Sequence, residues 1–320
     1  MFLASCQETD EWVQRQNYGP AQGSTYQVSY IVKPSVDYQL AIDSLLIYVD
    51  QGLSAWKPNS SLSRLNRGDT LFLANEALLS TMLDSARALK EQTDGLFDIS
   101  IGQIVSLWGF HRNASSIPSD SAIELALIAS KWENIKKSDD SLYLESNCQL
   151  DVNGIAQGYT VDLIADFLNE KGVSHYMIEV GGEVRCKGKN IDGQIWRIGI
   201  DRPTNERETD RFMRIVQLNN QALATSGNYR KYVEDPSSGK RFGHSLNPRT
   251  GRPTQDVLLS ASVVCNNATA ADAWGTALMV AGLQRAQEIV ESKPELEAYL
   301  IYSDRKGDWK EWESEGFPSK

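Results

Sequence analysis

Apolar residues along this chain fall at two distinct spacings, and the switches between them outline its elements. Ser24–Val32 alternates and predicts a strand closed by Pro34. Between Val36 and Val49 the residues Leu40, Ile42, Leu45, Leu46 and Val49 recur at helical spacing. A polar loop from Trp56 to Ser61 leads into Leu62-Ser63-Arg64-Leu65-Asn66. Asn75 is placed to cap a helix to about Gln92, which Thr93-Asp94-Gly95 breaks. The apolar segment Phe97 to Phe110 carries Asp98, Gly102 and Gly109, and Ser119 or Asp120 can cap a short helix to about Lys131. Strands are expected at Ser141–Leu144 and Cys148–Val152. Gly154–Glu170 reads as a helix with Ile155, Tyr159, Leu163 and Phe167 on one face, stopped by Gly172.

The pattern then becomes largely strand, at 176–180, 184–187, 195–200, 212–218, 222–225, 241–244 and 258–264, with turn signals between. Helices are expected over 268–280 and 284–292, and a strand over 298–301. Helices and strands interleave without the regular alternation of a doubly wound sheet, and no repeat appears. One α+β domain is expected.

Composition narrows the function classes. The 320 residues are 41% hydrophobic and 23% charged, enough apolar material for a core. The formal net charge of -10 argues against nucleic acid, and an anionic substrate here calls for a mediating cation. No stretch reaches the roughly 20 apolar residues that span a bilayer. Leu3-Ala4-Ser5-Cys6 nevertheless reads as a lipobox, with Cys6 as the lipidated residue. Only five residues precede Cys6, fewer than a signal's apolar run needs, so a shortened signal and a chance match both explain it. The polar Gln7–Gln16 suits a tether. Cys148, Cys186 and Cys265 stand far apart in strand-like contexts, which speaks for buried small side chains over a zinc or redox site.

Several clusters can carry chemistry. Asp272 and Thr276 are four apart on a predicted helix of small residues, so their oxygens project from one face and suit a hard cation such as Mg²⁺. A dipole-stabilised Asp with Thr276 bonding back to the preceding turn explains the same spacing. Asp151-Val152-Asn153-Gly154-Ile155-Ala156-Gln157-Gly158-Tyr159 is a strand-to-helix junction whose free N–H groups can meet an anion, or simply a capped turn. His244, before the Asn247-Pro248-Arg249-Thr250-Gly251 turn, is one of three histidines and either a general base or a surface residue. Ser226 lies in a small polar turn, and Trp56 can stack on a planar ring or fold back over the core. Gly181-Gly182 before Glu183 reads as a tight turn. P-loop and Rossmann glycine patterns are missing.

Taken in order, these stretches resemble the ApbE family of FAD:protein FMN transferases. The matching segments are Gln22–Tyr26, Ser61–Asn66, Thr93–Gly102, Leu107–Phe110, Asp151–Tyr159, Ile178–Glu183, Thr225–Tyr229, His244–Pro253 and Ala268–Gly282. The resemblance implies a single ApbE/T-fold-like α+β domain over 17–320, of mixed, mostly antiparallel sheets and packed helices, behind a lipobox remnant and tether at 1–16. It implies Mg²⁺-dependent transfer of FMN from FAD to a threonine or serine hydroxyl, with release of AMP. Some members resemble FAD pyrophosphatases, and a flavin-binding lipoprotein without chemistry is a further alternative.

By position, the resemblance puts the metal at Asp272, Thr276 and a backbone carbonyl of Gly154. It puts FAD at Gln22, Trp56, Leu96, Phe97, Asp98, Asp151, Gln157, Ser226 and Leu246, and the base at His244. The family often has Met where Gln22 stands and Lys where Gln157 stands. The implied partner is a flavin acceptor carrying the Thr or Ser target, a redox-complex subunit or an FMN-binding-domain protein. The implied place is the periplasmic side of the bacterial envelope, with membrane contact only through a lipid on Cys6.

Overall fold

The computed structural model describes residues 11–110, 117–203, 212–228, 232–234 and 241–319. Its centre is an eight-stranded sheet whose strands lie in chain order, each antiparallel to its neighbours. They are β1 (Val13–Ala21), β2 (Ser24–Val32), β3 (Tyr176–Val180), β4 (Glu183–Lys187), β5 (Ala222–Gly227), β6 (Leu258–Cys265), β7 (Glu297–Ser303) and β8 (Trp309–Glu313). Between β2 and β3 the chain leaves the sheet for six helices: α1 (Gln39–Leu53), α2 (Ser61–Asn66), α3 (Ala77–Gln92), α4 (Gly102–Trp108), α5 (Asp120–Ala129) and α6 (Ala156–Glu170). A second excursion, between β6 and β7, makes α7 (Ala268–Ala281) and α8 (Leu283–Glu291).

Strand alternation sends side chains to two different cores. Ile178, Val180, Val28 and Tyr30 pack with Ile42 of α1 and Ile164 and Leu168 of α6. Ala224, Ala261 and Val263 meet Trp274, Ala277 and Leu278 of α7. On the other face Val184, Cys186, Leu223 and Val264 meet Trp196, Val216 and Leu218 of the hairpin Trp196–Asp201/Phe212–Leu218. Sheet residues buried from both sides fix α6 and α7 against it, and the candidate site lies where these two helices meet.

The periodicity located most elements to within a residue or two, and the exceptions have local causes. The first helix opens at Gln39 rather than Val36 because Asp37 Oδ1 accepts the Gln39 N–H at 2.9 Å and the Tyr30 hydroxyl accepts the Tyr38 N–H at 2.8 Å. Asn75 does not cap α3; it ends a 3₁₀ turn, Leu73–Asn75, and Glu76 takes the cap position with no side-chain bond. Cys148–Val152 is not a strand. Its one β contact is an isolated parallel bridge, Gln149 to Ile101.

Within the eight-stranded sheet two strands had no expectation at all, β1 and β8, and these are its two edges. Edge strands carry polar and charged residues that discourage further pairing, so their alternation is weak. Val13–Gln16, read as part of a tether, instead pairs with Ser29–Val32. The segment Leu3–Cys6 lies outside the described residues. Among those that are described, no helix is long and apolar enough to cross a membrane. Cys148, Cys186 and Cys265 are buried free thiols, and burial pushes Cys148 and Cys265 up to about 12.

Candidate active site

The site begins with two helix N-termini that hold each other. Asn267 caps α7 by accepting the Ala270 N–H at 2.8 Å. Asp162, one residue short of mid-helix on α6, takes the remaining donors: the N–H groups of Ala268 (3.0 Å) and Thr269 (2.8 Å) and the Thr269 hydroxyl (2.5 Å). Arg185 of β4 pairs with the same carboxylate at 2.8 Å. In return α7 caps α6. That helix opens without a side-chain cap of its own, and Asp272 Oδ2 accepts the Gly158 N–H in its first turn at 3.1 Å. The dipole effect expected of Asp272 therefore comes from α6, not from its own helix.

The helices can trade caps only because glycine stands at the crossing. A Cβ on Gly158 would lie 2.2 Å from the Ala268 carbonyl oxygen and 2.9 Å from Asp272 Cβ. Gly158→Ala is therefore expected to force α6 and α7 apart and to lower stability by about 3 kcal/mol, read as a shifted midpoint in urea unfolding.

Gly154 and Thr276 come together in the same way. A Cβ on Gly154 would stand 2.7 Å from Thr276 Oγ1, so the Gly154 backbone faces that hydroxyl. Asp272 is 5% exposed, and burial raises its carboxyl to about 7 against the opposing Gly158 N–H. Glu183 is likewise buried, and desolvation first, then the charge of Asp272, pushes it well above the carboxylate range. Among the described residues no three His, Cys, Asp or Glu side chains gather as a metal site, so a cation here needs hydroxyl and carbonyl oxygens beside its carboxylates.

Other predicted residues border this centre. Gln157, in the first turn of α6, lies over the Gly181–Gly182 turn: a Cβ on Gly181 would fall 1.8 Å from its Nε2. Gln22 sits in the β1–β2 turn at φ 48°, donates to Thr160 Oγ1 at 2.6 Å, and buries an Oε1 that has no partner. A non-glycine residue held at positive φ is strained, a feature that clusters at binding sites. Ser226 of β5 faces Gly275 of α7, where a Cβ would lie 3.0 Å from its Oγ.

Asp151 folds back on its own turn, accepting from Asn153 N–H at 2.8 Å, while its N–H donates to Ile99 at 2.8 Å. That bond ties the 151 junction to the 96–98 stretch. There Phe97 is core, and Asp98 is held by Lys90 at 3.0 Å and by the Ser100 N–H and hydroxyl at 2.9 and 2.7 Å. Leu96 is partly buried against the same core. Leu246 is buried with Ile104, Trp108 and Ile123, and Trp56 is 70% exposed on the loop after α1. His244 is half-buried, 6.4 Å from the Phe110 ring centre to centre and nearly edge-on.

A cleft of about 670 Å³, lined largely by charged residues, lies beyond the Asp98 loop. Of the predicted residues it includes only Asp98, and its four bases are matched by four acids, with Lys90–Asp98 and Arg249–Asp94 already paired. It has no net charge with which to draw an anion. Reasoning from motifs did not single out Asp162 or Thr160. Asp162 had a signal, a carboxylate between the apolar Val161 and Leu163 of a helical stretch.

The profile of the ApbE family matches residues 22–300. The chain belongs to the ApbE family. Its similarity extends well past the motifs. It is 32% identical over 327 residues to the FAD:protein FMN transferase of Vibrio cholerae, covering 99% of this chain and 95% of that protein. It is 33% identical over 297 residues to the FAD:protein FMN transferase of Escherichia coli K12, covering 90% of this chain and 82% of that protein.

Solved ApbE structures share the fold. The flavin transferase ApbE from Vibrio cholerae superposes with a TM-score of 0.82 at 31% identity, over 96% of this chain and 99% of that one. The apo flavinyl transferase ApbE of Pseudomonas stutzeri gives 0.83 at 28% identity, over 95% of each chain. The ApbE fold is thus one α+β domain with a mostly antiparallel sheet, as the resemblance implied.

Proposed function

We propose that this protein moves the FMN half of FAD onto a threonine or serine hydroxyl of an acceptor protein, forming a phosphoester and releasing AMP. The observation that carries the reading is the crossing of α6 and α7, where buried Asp272 and the facing pair Gly154 and Thr276 meet in a member of the ApbE family. The relatives named FAD:protein FMN transferase support the same chemistry.

The donors present suit Mg²⁺. A buried carboxylate, a hydroxyl and a backbone carbonyl are hard oxygen ligands, and too few to fill an octahedron, which leaves room for water and phosphate. Asp272, Thr276 and the Gly154 carbonyl are the residues to hold it. When bound, the ion offsets the charge on the pyrophosphate oxygens. Gln22, Trp56, Leu96, Phe97, Asp98, Asp151, Gln157, Ser226 and Leu246 contact FAD in this proposal. The unpartnered Gln22 Oε1 supports its place in that set. His244 takes the proton of the acceptor hydroxyl as its oxygen attacks the FMN-side phosphorus; the phosphoanhydride bond breaks and AMP leaves. The acceptor is a redox-complex subunit or an FMN-binding-domain protein. The lipobox-like Leu3–Cys6 supports a lipid-anchored place on the periplasmic side of the inner membrane.

Incubating the protein with FAD, Mg²⁺ and a candidate acceptor, followed by mass spectrometry, tests this directly. Transfer gives an FMN adduct on the acceptor and stoichiometric AMP. Free FMN and AMP without an adduct would make it a pyrophosphatase, and unchanged FAD would make it a binder.

A further inference from the structure

Glu183 opens β4 directly after the Gly181–Gly182 turn, paired across it with Val180. On that strand Val184 and Cys186 point to the hairpin face, so Glu183 and Arg185 point to the face covered by α6 and α7. Arg185 is already committed to Asp162. Glu183 is 6% exposed, and its Oε2 has no hydrogen-bond partner. The neighbouring charges that act on it are both acidic, Asp272 before Glu179.

A carboxylate buried beside a second carboxylate, with one oxygen unsatisfied and no base opposite, is a costly arrangement. Glutamine would have the same shape, two donors for the empty space, and no charge to repel Asp272. The turn alone does not require an acid either, because the Gly182 N–H is taken by Glu179 at 2.7 Å.

We propose that Glu183 is a positioning residue of the cation site, supplying across from Asp272 the second negative charge that holds a divalent ion and orienting the waters such an ion keeps. The inference rests on the reading of Asp272 as a metal ligand, and it extends the donor set from α7 and the 151 junction to the sheet. Mg²⁺ binds through few protein carboxylates and many waters, so a second carboxylate acting through water fits the ion.

Calorimetric titration of the full chain with MgCl₂, paired with thermal unfolding with and without Mg²⁺, separates this role from a structural one. Glu183→Gln is expected to weaken Mg²⁺ binding by about 10- to 100-fold. Its unfolding temperature without Mg²⁺ is expected to be unchanged or higher, because a buried charge has gone, so the Mg²⁺-induced rise shrinks. Glu183→Asp, which keeps the charge, should recover part or all of the affinity; wild-type affinity in Glu183→Gln overturns the proposal, and if that variant fails to fold, wild-type affinity in Glu183→Ala does.

Equal destabilisation with and without Mg²⁺ at unchanged affinity also overturns it. Asp272→Asn is the control. If that variant loses Mg²⁺ binding while Glu183→Gln does not, the metal reading stands and this inference alone falls. A wild-type protein without any Mg²⁺ response sinks both.

Discussion

Asp272→Ala is expected to abolish magnesium-dependent FMN transfer, with a loss of about 10³-fold or more in rate. The size follows from what the side chain is placed to do. Neutralising charge on a transferring phosphoryl group is worth several kcal/mol, and about 4 kcal/mol corresponds to 10³. No other carboxylate on α7 can substitute, because Asp272 is the helix's one acid.

The variant should still fold. It leaves the Gly158 N–H without its partner, at a cost of about 1–3 kcal/mol, but it also removes a carboxylate buried against Glu183. Those two effects oppose each other. Thr276→Val, which keeps the shape and removes one proposed neutral ligand, should cost less. Initial rates across a Mg²⁺ series would decide: an Asp272→Ala enzyme with wild-type metal response places the site elsewhere.

The fold was legible wherever burial on one face imposed a period. β3 and α6 have one face against the core, and their limits were found to within two residues; α7 is buried on nearly every side and was found from its apolar run and the glycine that ends it. Legibility failed at the sheet edges. Trp309-Lys310-Glu311-Trp312-Glu313 is mostly exposed, so its pairing with β7 leaves little trace in the residue pattern. It failed again where side-chain bonds decide an element's boundary, as when Tyr30 and Asp37 fix the start of α1.

The site divides along similar lines. The pair Asp272 and Thr276 follows from helical spacing, but spacing could not say that Asp272 caps a different helix. Gly158 was visible as a glycine at a junction. That it admits the Ala268 carbonyl depends on a neighbour more than a hundred residues away in the chain. Glu183 looked like the end of a tight turn because nothing in the sequence shows which face of β4 the helices cover.

His244→Ala is expected to slow FMN transfer by about 10²- to 10⁴-fold, the range of a general base, while FAD affinity stays within about twofold. The structure gives reasons for a specific effect. The residue after it is anchored on both sides: Asn228 Oδ1 accepts from the Ser245 hydroxyl at 2.7 Å, and the Ser245 carbonyl accepts the Thr254 N–H at 2.9 Å. Leu246 is locked among Ile104, Trp108 and Ile123. The backbone at 244 is therefore held whatever side chain it carries, and the half-buried imidazole lies nearly edge-on to the Phe110 ring. Truncating it removes the proposed proton acceptor while the neighbouring Ser245 and Leu246 keep the backbone in place.

Two measurements distinguish a base from a binding residue. Flavin fluorescence titration should give near-wild-type affinity for the variant, and single-turnover transfer should give the rate loss. A variant that loses FAD binding in parallel with transfer would show that His244 holds the nucleotide or the loop, and the proton would then need another acceptor.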